Sequence, residues 1–178
     1  MTSIARRKFL AGTAATALVA TGSKEAAASA DPASDEFTFE VTRTEDEWRE
    51  MLDPIEYFVL RDRGTEGPFT GPYWESDEVG TYSCKGCGLT IYDSLQKVFP
   101  GKGWTFFRHA RPSTTMLGMD IGRRGDPNDP FAQMQATMEA HCRRCGSHLG
   151  HIVAIPEVPR RAIHCINGFA LNFEPSAA

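Results

Sequence analysis

The sequence predicts a mainly β domain carrying a four-cysteine zinc site, with two short helices at its N-terminal end. Three observations predict it. Two helix-start signals stand close together before residue 60, short apolar runs broken by Gly, Pro and Asp follow Gly64, and two C-x-x-C pairs match each other.

The first thirty of the 178 residues read as an address. Arg6-Arg7-Lys8-Phe9-Leu10 is a twin-arginine pattern leading into a weakly apolar stretch from Ala11 to Thr21 and a small-residue cleavage site at Ala26–Ala30. Residues 1–30 are therefore expected to be a signal peptide that directs periplasmic export; the alternative is an Ala-rich tail. The apolar run is about half the ~20 residues that a membrane span requires, which argues against a permanent anchor. Residues 31–43, opening with Asp31-Pro-Ala-Ser-Asp35, read as a linker, and 44–175 as the folded domain.

Thr44 and Glu47 form a capping box, with Trp48, Met51 and Leu52 following at helical spacing. Asp53-Pro54 repeats the start signal, and Ile55, Phe58 and Val59 give the second helix an apolar face. Strands are expected at Thr81–Ser83, Leu89–Tyr92, Trp104–Arg108, His151–Ile155, Ala162–Ile166 and Ala170–Phe173. Met116–Gln135 has no clear period and reads as a long loop, of the kind that often serves as a functional lid.

Without residues 1–30, four of 19 basic and one of 23 acidic side chains are lost, leaving 15 against 22 and a formal charge of −7. An acidic domain without a basic stripe is repelled by phosphate backbones and anionic lipid, which excludes nucleic acid and stable membrane association as leading partners.

All five cysteines fall in this domain. Cys84-Lys-Gly-Cys87-Gly and Cys142-Arg-Arg-Cys145-Gly are matched knuckles, each with a Gly that lets the backbone turn back beneath a metal. Four thiolates close a tetrahedral zinc shell, leaving no position for substrate, so the implied role is structural. Two redox disulfides, a local site from Cys142, Cys145, His148 and His151, and four apolar buried thiols are the rival readings.

Cys165 is left over. It sits on an expected strand in Ile163-His-Cys165-Ile-Asn167, where alternation places Cys165 and Asn167 on one face. His148-Leu-Gly-His151 starts just beyond the second knuckle, which would hold it rigidly. A thiolate beside an imidazole is a nucleophile with a proton donor. The plain alternative for each is a buried Cys, a core or surface His and a packing Trp.

Over Thr44 to Phe173 the chain resembles the B-type methionine-R-sulfoxide reductases. The resemblance rests on Gly64-Thr-Glu66, Pro68-Phe-Thr-Gly71, Tyr73-Trp74, both knuckles, His148-Leu-Gly-His151 and Cys165-Ile-Asn167. It implies two antiparallel sheets with peripheral helices, and a preference for the R epimer of methionine sulfoxide; oxidised methionine in proteins or peptides is the expected substrate, and a monomer the expected state. It further implies Cys165 as nucleophile, His151 as acid, His148 as a second imidazole, Asn167 as an orienting group, and Trp104 and Phe107 as substrate wall.

Three departures stand out against that pattern. Gly103-Trp104-Thr105-Phe106-Phe107 differs after the Trp, and Lys102 occupies the place where many members carry a resolving cysteine. A histidine-bearing stretch before Glu139 is missing, with His109 or His164 as substitutes. An external, thioredoxin-like thiol is therefore the expected reductant. The competing expectation is a non-catalytic zinc module on the same scaffold.

Overall fold

The computed structural model describes residues 37–120, 137–155, 158 and 162–177. The signal-peptide expectation and most of the expected loop, 121–135, lie outside the described residues. Residues 37–178 form one compact unit.

Both helix-start signals are met, and each forms a capping box. Helix α1 (Glu45–Met51) is capped by Thr44, whose side chain accepts from the Glu47 amide while Glu47 accepts from the Thr44 amide. Helix α2 (Pro54–Leu60) is capped by Asp53 in the same reciprocal way with Glu56. The expected apolar face of α2 is displaced: Val59 and Leu60 are buried, whereas Ile55 and Phe58 stay exposed. A seven-residue helix lying on a sheet turns only a narrow stripe inward, and Leu60 completes that stripe.

Nine strands follow among the described residues: β1 (Gly80–Cys84), β2 (Thr90–Asp93), β3 (Lys97–Val98), β4 (Thr105–Phe107), β5 (Thr115–Asp120), β6 (Thr137–Cys142), β7 (His148–Ala154), β8 (Ala162–Ile166) and β9 (Leu171–Pro175). They build a three-stranded sheet, β2-β1-β9, and a six-stranded sheet, β3-β4-β8-β7-β6-β5, with every pairing antiparallel. The fold is thus mainly β, two antiparallel sheets with two short helices. All six expected strands are present, and β3, β5 and β6 are additional. Met116–Asp120 is strand β5 rather than loop, because six consecutive residues pair with β6. Its composition hides this: Gly118 and two Met carry little strand preference of their own.

The core lies between the sheets and the helices. Trp48, Leu52, Val59, Tyr82, Ile91, Tyr92, Phe107, Leu149 and Ile166 are buried there. Tyr92 stacks on Phe107 at 4.3 Å, and Tyr82 meets Phe107 edge-on at 5.2 Å. Residues 37–43, assigned to the linker by sequence, lie against the second knuckle: the Val41 amide donates to the Arg144 carbonyl at 3.0 Å and Val41 packs on the core. No helix among the described residues is long and apolar enough to cross a membrane.

Candidate active site and zinc centre

The two knuckles have one geometry. In each, the Gly after the second Cys has a left-handed backbone, Gly88 at φ +73° and Gly146 at φ +72°, which a side chain would strain. Each donates its amide at 2.8 Å to the carbonyl of the first Cys. The turns bring Cys84, Cys87, Cys142 and Cys145 together, their sulfurs all within 4.8 Å. The nearest contacts cross between knuckles, Cys84 to Cys145 at 3.7 Å and Cys87 to Cys142 at 3.5 Å.

A tetrahedral shell with metal–sulfur bonds of about 2.3 Å requires sulfurs about 3.8 Å apart, so the four thiols fit zinc closely. All five cysteines are free, and the sulfur separations are far beyond a covalent bond, against the disulfide reading. Hydrogen bonding with the other three sulfurs and with Ser147 pushes the Cys145 thiol down. Bonding to its neighbours and burial push Cys84 up. Bonding to Cys142 also pushes Cys87 down, whereas Cys142 itself is pushed up, so two of the four thiols favour the thiolate and two oppose it; a bound dication supplies the charge that favours all four as thiolates. The centre is structural, coupling β1 of one sheet to β6 of the other.

Cys165 stands apart, half-buried on β8. Across the large sheet one row of cross-strand partners runs Phe106, Cys165, His151, Glu139, Gly118. Directly opposed residues share a face, so the Cys165 thiol and the His151 imidazole are neighbours on the side away from the core. His148 and His151 are three residues apart, which strict alternation would split between faces. A bulge prevents it. Ala140 pairs with Gly150 and His141 with His148, leaving Leu149 as the extra residue on β7. Leu149 enters the core, and the two imidazoles meet edge-to-face at 5.3 Å on the Cys165 side. Gly150 permits the crossing, since a Cβ there would run into the Cys165 carbonyl.

Asn167 follows β8 and is buried. Its side-chain oxygen accepts from the Glu66 amide at 2.9 Å and its side-chain nitrogen donates to the Leu149 carbonyl at 3.1 Å. Asn167 therefore ties the bulge to the Glu66 segment. The indole N–H of half-buried Trp104 donates to the Glu66 carbonyl at 3.1 Å. Phe107 is a correction: it is fully buried and stacked on Tyr92 on the core face, whereas Phe106 shares the face of Cys165. A one-residue difference flips the face, and β4 begins at Thr105 rather than Trp104.

Glu66 was quoted in the sequence only as part of a motif, yet it organises the site. Its buried carboxylate accepts from the Gly168 and Phe169 amides at 2.9 and 3.1 Å. Burial raises its pKa against those two bonds. Burial, together with the charge of Glu66, pushes the Cys165 thiol up to about 12. Glu139 and His141 were also missed. The Glu139 carboxylate lies 2.9 Å from His141 Nε2 and 3.6 Å from His148 Nδ1, and the His141 and His148 rings are 5.6 Å apart. The further imidazole packed beside His148 is His141, whereas His109 and His164 lie elsewhere. His164 points to the core face, 3.0 Å from the Tyr92 hydroxyl, and His109 contacts only the neighbouring carbonyl of Ala110 among the bonds described. The signal for the pair was their i, i+2 spacing on β6, legible only once that segment is recognised as a strand.

Residues 52–175 match the SelR domain. The chain belongs to the SelR family. The relatives of this SelR domain include the peptide methionine sulfoxide reductase MsrB of Agrobacterium fabrum, 38% identical over 136 residues, covering 76% of this chain and 93% of that protein. The MsrB of Methanosarcina barkeri is 36% identical, covering 75% and 88%. Peptide methionine sulfoxide reductase B3 of Arabidopsis thaliana is 36% identical, covering 78% and 73%. The SelR match includes all four zinc-site cysteines and Cys165.

Proposed function

We propose that this SelR domain is a peptide-methionine (R)-S-oxide reductase whose nucleophile is Cys165. The observation that carries the reading is the placement of Cys165: it is the one cysteine outside the zinc cluster, and it faces His151 across a strand pair. The Cys165 thiolate attacks the sulfoxide sulfur while His151 protonates the oxygen, with His148 beside it. The oxygen passes to cysteine, so methionine sulfur is reduced by two electrons and Cys165 is oxidised to the sulfenic acid. An external thiol condenses with it, releasing water and leaving a mixed disulfide. A second thiol then frees Cys165 and departs as part of a disulfide. With the other four cysteines around zinc and Lys102 before Gly103, a thioredoxin-like dithiol supplies both thiols.

Trp104, fixed through its N–H, offers an indole face to the methyl-sulfur end of the substrate. Asn167 acts through backbone, holding the bulge and the Glu66 segment at fixed distance from Cys165. The zinc supplies rigidity only. Export through the twin-arginine sequence puts this activity in the periplasm, and Arg6-Arg7→Lys-Lys should strand the protein in the cytoplasm.

The test is turnover of separated sulfoxide epimers with dithiothreitol as reductant. Loss of the R but not the S epimer, abolished by Cys165→Ser, is the expected result. Turnover surviving in Cys165→Ser eliminates the mechanism. One observation favours the alternative, a non-catalytic zinc module: the Cys165 thiol is held far above its ordinary range. Absence of turnover in zinc-replete protein would decide for that alternative.

A further inference from the structure

We propose that Glu139, His141 and His148 form a second cation site, distinct from the four-cysteine centre and selective for a zinc-like divalent ion that binds nitrogen and oxygen. Their ligand atoms lie within 4.8 Å of one another. The 2.9 and 3.6 Å separations from the Glu139 oxygens to His141 and His148 bracket the spacing of about 3.4 Å expected between ligands bound at about 2.1 Å. Two imidazoles and a carboxylate suit zinc and its neighbours rather than calcium or magnesium, which prefer oxygen alone.

The surroundings suit an ion as well. Glu139 and His148 are almost wholly buried, so the donors are held in place by the sheet. The histidines also line a cavity of about 430 Å³ with Arg63, Met116 and Gly118, which leaves room for water to complete the shell. Gly118 stands opposite Glu139, and even a Cβ there would come within 3.4 Å of His141 Nε2. Arg63, 3.7 Å from Glu139 with a side chain more than half exposed, is the group a cation displaces, and it can swing into solvent.

The consequence for chemistry rests on the reductase reading above. The Leu149 bulge places His148 against His151, so an ion on His148 takes an imidazole away from the Cys165 face. Such an ion should inhibit.

The experiment titrates the zinc-loaded, full-length protein with cobalt(II), followed by visible absorption and metal analysis. The expected result is one further equivalent with nitrogen and oxygen ligand-field bands and no sulfur charge-transfer band. His141→Ala should lose that equivalent and retain the structural zinc, which certifies its fold. A single metal per chain, or a second equivalent that survives in His141→Ala, overturns the site. In a parallel assay with a non-chelating phosphine as reductant, turnover should fall with occupancy of the second equivalent and become insensitive in His141→Ala. Binding without inhibition would overturn the regulatory consequence and leave the site standing.

Discussion

At the scale of single residues, the environment of Cys165 opposes the ionisation that its role requires. Burial and the Glu66 charge both favour the thiol, so only a small thiolate fraction exists at neutral pH. Its alkylation by iodoacetamide should therefore rise about tenfold per pH unit from pH 7 to 10 without a plateau, whereas an ordinary thiol would level off near pH 8.5. Glu66→Gln removes the charge and should speed alkylation several-fold at fixed pH; an unchanged rate would mean that burial alone sets the thiol. Cys165, His151 and Asn167 were legible in the sequence because they sit in short motifs. Glu66 was not, since its importance lies in accepting from two amides about a hundred positions away. Phe107 was misassigned because a face is decided by where a strand begins, and a run of Trp-Thr-Phe-Phe does not say.

Strands and helices divide in the same way. The capping box of α1 and the Asp53-Pro54 start of α2 are local chemistry and could be read directly, and β8 was found with its observed bounds. Strand β5 could not be read, because its partner rather than its composition makes it a strand. The β7 bulge was likewise invisible, since it needs the register of β6. Gly150→Ala tests it: the new methyl collides with the β8 backbone, so stability should drop by about 1–3 kcal/mol in denaturant unfolding. Turnover should fall further than stability explains, because His148 and His151 move together. Strand β8 also carries a pH signature. Burial holds His164 down to about 4, so the folded form binds its proton later than the unfolded chain, at about 6.5. The associated stability is present above pH 6.5 and is lost as pH falls towards 4, a decline on the order of 2 kcal/mol. In His164→Asn the melting temperature should vary less across that window, and an identical slope would reject the assignment.

For the whole molecule, the zinc centre ties the knuckle that opens at the end of β1 to the one that opens at the end of β6, beside a hydrogen bond from the Arg144 guanidinium to the Cys87 carbonyl at 3.3 Å. Removing the ion leaves four thiols packed without a partner charge and takes away a tie between the two sheets, which then meet through packing such as Tyr92 on Phe107. Structural zinc of this kind carries on the order of 10 kcal/mol of apparent binding energy, comparable with the total stability of a domain. A strong chelator, or Cys142→Ser, should accordingly unfold the chain cooperatively at room temperature, seen as loss of near-ultraviolet circular dichroism. Retention of that signal in verified metal-free protein would place the stability elsewhere. The two-sheet architecture and the zinc ligands were both legible, one from the family resemblance and the other from matched spacing.

The ion also acts on the chain as a topological staple. Contacts across the knuckles join residues 55 and 61 positions apart, so the metal draws shut a long span of backbone that includes β2 to β6. The entropy of closing such a ring grows only with the logarithm of its length, about 0.6 kcal/mol for each doubling. Once the staple is set, the connections between the strands of that span can gain or lose residues at small cost in closure entropy. Length variation among descendants of this scaffold should therefore collect in that interval, while the five positions around each pair of sulfurs stay fixed in number.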